Sequence, residues 1–261
     1  MRTLIAIPVF NEARYVTGVL RAVREYAADI LVVDDGSTDG TAAALAAETG
    51  IAVIRHARNF GYGRSIRDSF SFAVDSRYDL LVTMDCDEQH EPAEIPRFVE
   101  AAARDEADIV SGSRYLAPDS ANDTPPLDRR RINELMTREI NERLGPALGI
   151  AMTDSFCGFK AHRVDALARL DLSEDGYAFP MQLWAQAAAA RLRVSELPVR
   201  LIYKDLTRSF GGTLDDPSHR LAHYREVLHN ELHRLRMHLP GGALTGLGHH
   251  PPLIARCGGC A

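Results

Sequence analysis

The sequence has no long hydrophobic run, no excess of basic residues and few cysteines. No stretch approaches the ~18 consecutive apolar residues that a membrane-spanning helix needs. The 30 Lys and Arg residues stand against 36 Asp and Glu, a formal charge of −6 with a pI near 5.9. Dedicated nucleic-acid binders show the opposite imbalance, so no nucleic-acid partner is expected. The four cysteines include none at a stapling distance within the folded part, which suits a reducing compartment. The opening Met1-Arg2-Thr3-Leu4-Ile5-Ala6-Ile7-Pro8 is too short and too polar beyond its apolar stretch for a signal peptide. There is no internal repeat, and the 46% hydrophobic and 25% charged content excludes a disordered or fibrous chain. These absences describe a cytoplasmic globular protein, with contact to a membrane surface left open.

What is present is an alternation of two periodicities. Leu4–Ile7, Ile30–Val33, Ile51–Ile54, Leu80–Met84 and Ile109–Val110 are short apolar runs, each ended by polar or turn residues. Between the first two, Val16, Val19, Leu20 and Val23 mark one face of a helix, and Ile95, Phe98 and Val99 repeat that spacing. Strands alternating with helices predict an α/β fold, a mostly parallel sheet covered by helices on both faces. Such sheets bind ligands beyond the carboxyl ends of their strands. Further on, the pattern predicts a polar loop at 117–126, a long amphipathic helix over Leu127–Leu144 and a Gly-containing turn over Met152–Arg163. An Ala-rich helix at Tyr177–Ala190, a strand at Val194–Ile202 and a helix within Asp215–Leu239 follow. The expected organisation is a domain over 1–213, a C-terminal amphipathic helix over 214–240 packed on it or extending from it, and a disordered tail over 241–261.

The strand ends hold the chemistry. Asp85-Cys86-Asp87 closes an apolar strand, and side chains two apart on a strand share one side, roughly 7 Å apart. Two carboxylates so placed can share a hard divalent cation, with the amide oxygen of Gln89 as a further ligand. Such a cation would neutralise the charge building on a departing diphosphate. Short acidic pairs also decorate ordinary loops, but this one follows a central strand. In Asp34-Asp35-Gly36-Ser37-Thr38-Asp39-Gly40, Asp35 is placed to meet a base or ribose, and Asp39 to cap the next helix. Gly61-Tyr62-Gly63 lacks the third glycine of a dinucleotide fingerprint and does not directly follow a strand, so that reading is rejected.

Taken together, these segments resemble the family 2 glycosyltransferases of GT-A fold. The resemblance rests on Ile7-Pro8-Val9-Phe10-Asn11-Glu12, Val33-Asp34-Asp35-Gly36-Ser37, Asn59 with Gly61 and Gly63, Met84-Asp85-Cys86-Asp87-Glu88-Gln89-His90, and Ser111-Gly112-Ser113-Arg114-Tyr115. The second half resembles the dolichyl- and polyprenyl-phosphate mannosyltransferase subgroup in Asp154-Ser155-Phe156-Cys157-Gly158-Phe159-Lys160, Gly176-Tyr177-Ala178-Phe179 and Leu197-Pro198-Val199. The resemblance covers about residues 3–213. It implies that Pro8, Phe10, Glu12 and Asp35 hold the nucleoside, with Cys86 between the acidic pair. It further implies that Asp85, Asp87 and Gln89 hold Mg²⁺ or Mn²⁺ and that Arg114 meets the phosphates or sugar. The subgroup's Arg-x-x-x-x-Ser-Lys loop is altered here to Lys204-Asp205-Leu206-Thr207-Arg208-Ser209-Phe210. Lys204 replaces the Arg, Phe210 stands at the Lys position, and Arg208 is the candidate to compensate. Gln182 occupies a helix position where the subgroup often has Glu, so no carboxylate base is assigned there.

A phosphate-monoester acceptor is already an anion at neutral pH and needs orientation more than a base, so the missing base favours a lipid phosphate. Asp154 stays open as a base for a hydroxyl acceptor. Arg129-Arg130-Arg131 opens the long helix and would meet an acceptor phosphate or an anionic membrane face, or would simply be a solvated face. The His219/His223 and His229/His233 pairs have metal-binding spacing but read more economically as a solvated helix, and Cys257 and Cys260 with His249 and His250 as tail. Cys86 and Cys157 read as small fillers. The expected activity is transfer of a hexose from a nucleotide-sugar donor, GDP-mannose or UDP-glucose, to a polyprenyl phosphate by a metal-assisted inverting displacement. The rivals are a soluble or protein hydroxyl acceptor and a non-catalytic nucleotide-sugar scaffold.

Overall fold

The computed structural model of the chain describes residues 1–117, 123–203 and 209–247. Its strands are β1 (Thr3–Val9), β2 (Asp29–Asp34), β3 (Ala52–Arg55), β4 (Leu80–Thr83), β5 (Ile109–Ser113), β6 (Lys160–Arg163) and β7 (Val194–Pro198). They form one seven-stranded sheet in the order β3-β2-β1-β4-β6-β5-β7. Every pairing is parallel except those of β6, which runs antiparallel to both β4 and β5. The expected α/β sheet is therefore present, with one reversed strand that the sequence pattern assigned to a turn. Lys160 and His162 carry no apolar signal, yet both are buried, because pairing with two neighbours rather than propensity makes β6 a strand.

Alternation along β1 divides the core. Leu4 and Ala6 face one layer with helices α3 (Tyr62–Asp75), α5 (Leu127–Leu148), α6 (Val164–Leu167), α7 (Phe179–Ala189) and α8 (Pro217–Arg234). Ile5, Ile7 and Val9 face the other, with α1 (Val16–Val23), α2 (Thr41–Ala46) and α4 (Ile95–Ala103). A strand covered on both faces has no polar side to show, hence the uninterrupted apolar run. Pro8 is tolerated in this central strand because β1–β4 pairing ends at Ala6 with Thr83. The Pro8 nitrogen points past that last pair, so its missing N–H breaks no ladder bond. β1 and β4 separate there, and the crevice opens at this point, where strand order departs in opposite directions.

The helix beyond residue 213 packs on the rest of the domain. Tyr224, Leu228 and Leu232 of α8 belong to the same buried layer as α5 and α7. Residues 241–247, expected as part of a disordered tail, instead make a short 3₁₀ turn at Gly241–Leu244. Ala243 there is fully buried, and Arg143 donates to the carbonyls of Ala243 and Thr245 at 3.1 Å each. The remainder of that tail, with His249, His250, Cys257 and Cys260, lies outside the described residues.

Candidate active site

A cleft of about 510 Å³ opens at the carboxyl ends of β1, β2 and β4 and is closed on its far side by α5, α7 and α8. Pro8, Phe10, Glu12, Asp35, Asp85, Cys86, Asp87, Gln89, Arg114 and Arg129 all line it. Sequence positions as far apart as 8 and 129 thus meet in one concavity.

The loops after β1 and β2 are clasped together. Asn11 adopts a left-handed conformation (φ 58°), which asparagine tolerates. Its side-chain oxygen accepts the N–H groups of Thr38 (2.8 Å) and Asp39 (3.3 Å), while its own N–H donates to Ser37 Oγ at 2.9 Å. Asp39 accepts the N–H of Thr41 at 2.9 Å at the start of α2, the capping role expected of it. Asp35 accepts the N–H groups of Phe60 and Gly61, both at 2.8 Å, and contacts His56 Nδ1 at 2.6 Å. It therefore shapes this end of the cleft by fixing the 60–61 loop. Gly61 (φ 112°) is required there, because a Cβ would stand 2.3 Å from the carbonyl oxygen of Asp175.

Asp85 is enclosed by groups that the acidic motif alone did not reveal. Its N–H donates to His90 Nδ1 at 3.0 Å, which leaves His90 Nε2 facing Asp85 Oδ2 at 3.9 Å. The Tyr62 hydroxyl, from the first turn of α3, lies beside the carboxylate and favours its charged form. Burial pushes the Asp85 carboxyl up, against the pull of His90 and with the push of Asp87. Asp85 Oδ1 is sealed from solvent and accepts no hydrogen bond in the structure. An orphaned carboxylate oxygen costs free energy unless a ligand completes it. With Asp87 two residues on and the Gln89 amide on the same lining, the donor set is all oxygen, which suits Mg²⁺ or Mn²⁺. Among the described residues no group of three or more His, Cys, Asp or Glu is gathered for a metal. A cation here would therefore need substrate oxygens to complete its shell. Cys86 is 2% exposed and packs into the core layer of α1 and α4.

Arg114 enters from the end of β5. It makes a two-pronged ion pair with Asp154, Nε to Oδ2 at 2.6 Å and Nη2 to Oδ1 at 2.9 Å. Asp154 is fully buried, accepts Asn133 Nδ2 at 2.7 Å, and does not line the cleft. Burial raises its pKa, but the Arg114 charge and the hydrogen bonds outweigh that, holding the carboxyl well below the usual range. As an acceptor-facing group or a base Asp154 is therefore misplaced; it holds Arg114 in position instead. The arginine run is corrected similarly, because successive residues on a helix diverge by about 100°. Arg129 lines the cleft, Arg130 pairs with Glu134 at 2.9 Å, and Arg131 is exposed outside it. Lys204 and Arg208 lie outside the described residues.

Gln182 does not reach the cleft. Its side-chain oxygen accepts the N–H groups of Ser173 and Glu174, and its amide nitrogen donates to the buried Glu231 at 3.2 Å. It is a tie between α7 and α8, and its difference from Glu says nothing about turnover. The cleft also holds residues that sequence reasoning missed: Tyr62 stacked on Tyr177 (6.0 Å, 12°), Tyr115, Phe156, Tyr203, Arg220 and Tyr224. Tyr224 belonged to the apolar stripe of the last helix, Tyr62, Tyr115, Phe156 and Tyr177 stood inside motif segments without a role of their own, and Tyr203 and Arg220 had no local signal.

Comparison with known proteins fits this geometry. The family model described as Glycosyl transferase family 2 matches residues 4–170. The chain belongs to that family. An undecaprenyl-phosphate mannosyltransferase of Micrococcus luteus is 31% identical over 218 residues, which is 80% of this chain and 87% of that one. A polyprenol monophosphomannose synthase of Mycolicibacterium smegmatis is 31% identical over 215 residues, 78% of this chain and 79% of that one. The crystal structure of glucosyl-3-phosphoglycerate synthase from Mycobacterium tuberculosis with Mn²⁺, UDP and glucosyl-3-phosphoglycerate superposes with a TM-score of 0.64. At 20% identity, covering 92% of this chain and 81% of that one, it shares the fold. The chain is a family 2 glycosyltransferase of GT-A fold, similar to the polyprenyl-phosphate mannosyltransferases.

Proposed function

We propose that this glycosyltransferase moves a hexose from a nucleoside-diphosphate sugar, GDP-mannose or UDP-glucose, to a polyprenyl phosphate, with inversion at the anomeric carbon. One observation carries the reading. The carboxylates lining the cleft, Glu12, Asp35, Asp85 and Asp87, all follow β1, β2 or β4, whereas the opposite wall presents Arg129, Phe156, Tyr177 and Tyr224. A wall that joins a cation to aromatic rings, with no lining carboxylate among the described residues, suits an acceptor that is itself an anion on an apolar body. A hydroxyl acceptor would need a base on that wall, and Asp154 is ion-paired behind Arg114.

On this reading Pro8, Phe10 and Glu12 seat the nucleoside against the loop that Asp35 fixes, and Arg114 faces the diphosphate or sugar. Asp85, Asp87 and Gln89 would hold a divalent cation, Mg²⁺ or Mn²⁺, which when bound neutralises charge on the departing diphosphate. An oxygen of the acceptor phosphate forms the new bond to the anomeric carbon as the bond to the nucleoside diphosphate breaks, and the electron pair leaves with the diphosphate. No proton needs to move, since the acceptor is already ionised.

No helix of the described residues is long and apolar enough to cross a membrane. Approach to a lipid acceptor then rests on the start of α5, where Leu127 is 81% exposed beside Arg130 and Arg131. Such a patch supports transient contact with an anionic, cytoplasmic membrane face. The test uses radiolabelled GDP-mannose and UDP-glucose, Mg²⁺ or Mn²⁺, and undecaprenyl phosphate in detergent. Chloroform-extractable label that disappears in Asp87→Ala is expected. Label passing only to water or to soluble hydroxyl compounds would overturn the reading.

A further inference from the structure

Phe210 stands where the resemblance places a lysine, and its surroundings show where a positive charge has gone instead. Two guanidinium groups lie against the ring, Arg129 4.8 Å and Arg220 4.4 Å from its centroid, and Tyr177 meets it edge-on at 5.3 Å. The local sequence builds this arrangement. Asp215 accepts the N–H groups of Phe210 (2.8 Å) and Gly211 (3.1 Å), which fixes the backbone that carries the ring. Asp216 caps α8 by accepting the N–H groups of Ser218 (2.9 Å) and His219 (2.8 Å), with Pro217 at the first helical position. Arg220 follows one turn in, and its side chain lines the cleft.

Arg220 is only 2% exposed. Its Nη1 donates to the carbonyl of Leu214 at 2.8 Å, and Nη2 pairs with Asp128, which does not line the cleft. An arginine buried to this degree is normally paired, as Arg220 is with Asp128. Neither Asp128 nor Leu214 is among the residues that line the cleft. The guanidinium also lies against the Phe210 ring, and Arg220 shares the cleft lining with Arg129, Ile132, Phe156 and Tyr224.

We propose that Arg220 is an acceptor-binding residue, joining Arg129 to hold the phosphate monoester of the acceptor, with the Phe210 ring packed against both guanidinium groups. Arg220 thus supplies from α8 the charge that position 210 lacks. The aromatic lining beside the pair takes the first apolar units of the acceptor. This rests on the lipid-phosphate reading above, and binding measurements separate the two.

The experiment titrates wild type and Arg220→Gln with farnesyl phosphate, farnesol and the nucleotides UDP and GDP by calorimetry. Farnesyl phosphate is expected to bind wild type and to lose about 30-fold in Arg220→Gln, as expected for a lost charge-assisted hydrogen bond. Nucleotide affinity should stay within about twofold, because the nucleotide site lies at the strand ends. Adding Phe210→Lys to Arg220→Gln should restore most of the farnesyl phosphate affinity. Equal farnesyl phosphate binding in wild type and Arg220→Gln, a parallel loss of nucleotide, or farnesol binding wild type as tightly as its phosphate would each overturn the proposal. If Arg220→Gln does not fold, Phe210→Lys alone decides: farnesyl phosphate affinity should rise severalfold, and an unchanged or lower value overturns the proposal. In the transfer assay, an unchanged KM for the lipid phosphate in Arg220→Gln sinks this inference and leaves the function standing. Binding through Arg220 without any sugar transfer to the lipid does the reverse.

Discussion

Replacing Gly158 by alanine tests the acidic site with the least disturbance elsewhere. An added Cβ would lie 2.4 Å from Asp85 Oδ2 and 2.9 Å from both Oδ1 and Cγ. Ordinary contacts begin near 3.4 Å, so something must retreat by about 1 Å. The backbone is poorly placed to do so, because Thr83 Oγ1 donates to the Gly158 carbonyl at 2.9 Å and the flanking Cys157 and Phe159 are buried. The carboxylate must therefore turn. A 1 Å misplacement of a reacting or positioning group costs on the order of 100-fold in rate. Stability should hardly change: an off-rotamer Asp85 costs about 1 kcal/mol, and losing glycine's freedom in the unfolded chain returns a similar amount. The expected result is a transfer rate down about 100-fold and a weakened Mn²⁺ response in calorimetry with nucleotide present. Tm should move by less than about 4 °C. Activity within threefold of wild type would refute the placement of Asp85. A large fall in Tm alongside the activity would show that Gly158 serves folding instead.

The other expectations concern buried charge. Asp154→Asn removes the partner of Arg114 in a buried pair and should lower stability by about 3–5 kcal/mol in urea unfolding; a loss under about 1 kcal/mol would contradict the clamp. His162 on β6 is 1% exposed, and burial followed by the nearby Lys160 charge depresses its pKa to about 3. The unfolded chain therefore takes up a proton near pH 6.5 that the folded chain refuses. Stability is full above that pH and declines as pH falls towards 3, by on the order of 2 kcal/mol at pH 5. His162→Gln should flatten this slope, measured as the difference in urea midpoint between the two proteins at pH 5 and 7. Gln182→Glu would set a second carboxylate against buried Glu231. It should cost about 1–2 kcal/mol at pH 8 and less at pH 5, where one of the two carboxyls can protonate. Equal melting temperatures for Gln182→Glu and wild type at pH 8 would refute that contact.

What could be read from the sequence alone was whatever is decided by neighbours along the chain. Strands β1, β2 and β4 announce themselves because a strand covered on both faces must be apolar throughout, and their polar ends mark where that cover stops. The Asp85-x-Asp87 pair is legible because it closes an apolar run; β4 itself ends at Thr83, and both carboxylates line the cleft from the loop that follows it. The lower half of α5 shows its apolar stripe for the same local reason. Other features depend on what lies across a gap. β6 is a strand made of Lys160, Ala161, His162 and Arg163 because β4 and β5 both pair with it. Arg129, Arg130 and Arg131 are equivalent as letters, and only the packing of α5 decides that the first lines the cleft. Asp154 offers a carboxylate in sequence, but burial against Arg114 makes it a strut. Tyr62, Tyr177 and Arg220 reach the cleft from α3, the approach to α7 and the start of α8, and no local pattern links them. Pairing, burial and charge neutralisation are properties of groups brought together by the fold, so the acidic side of the site was visible in the sequence and the cationic, aromatic side was decided by tertiary structure.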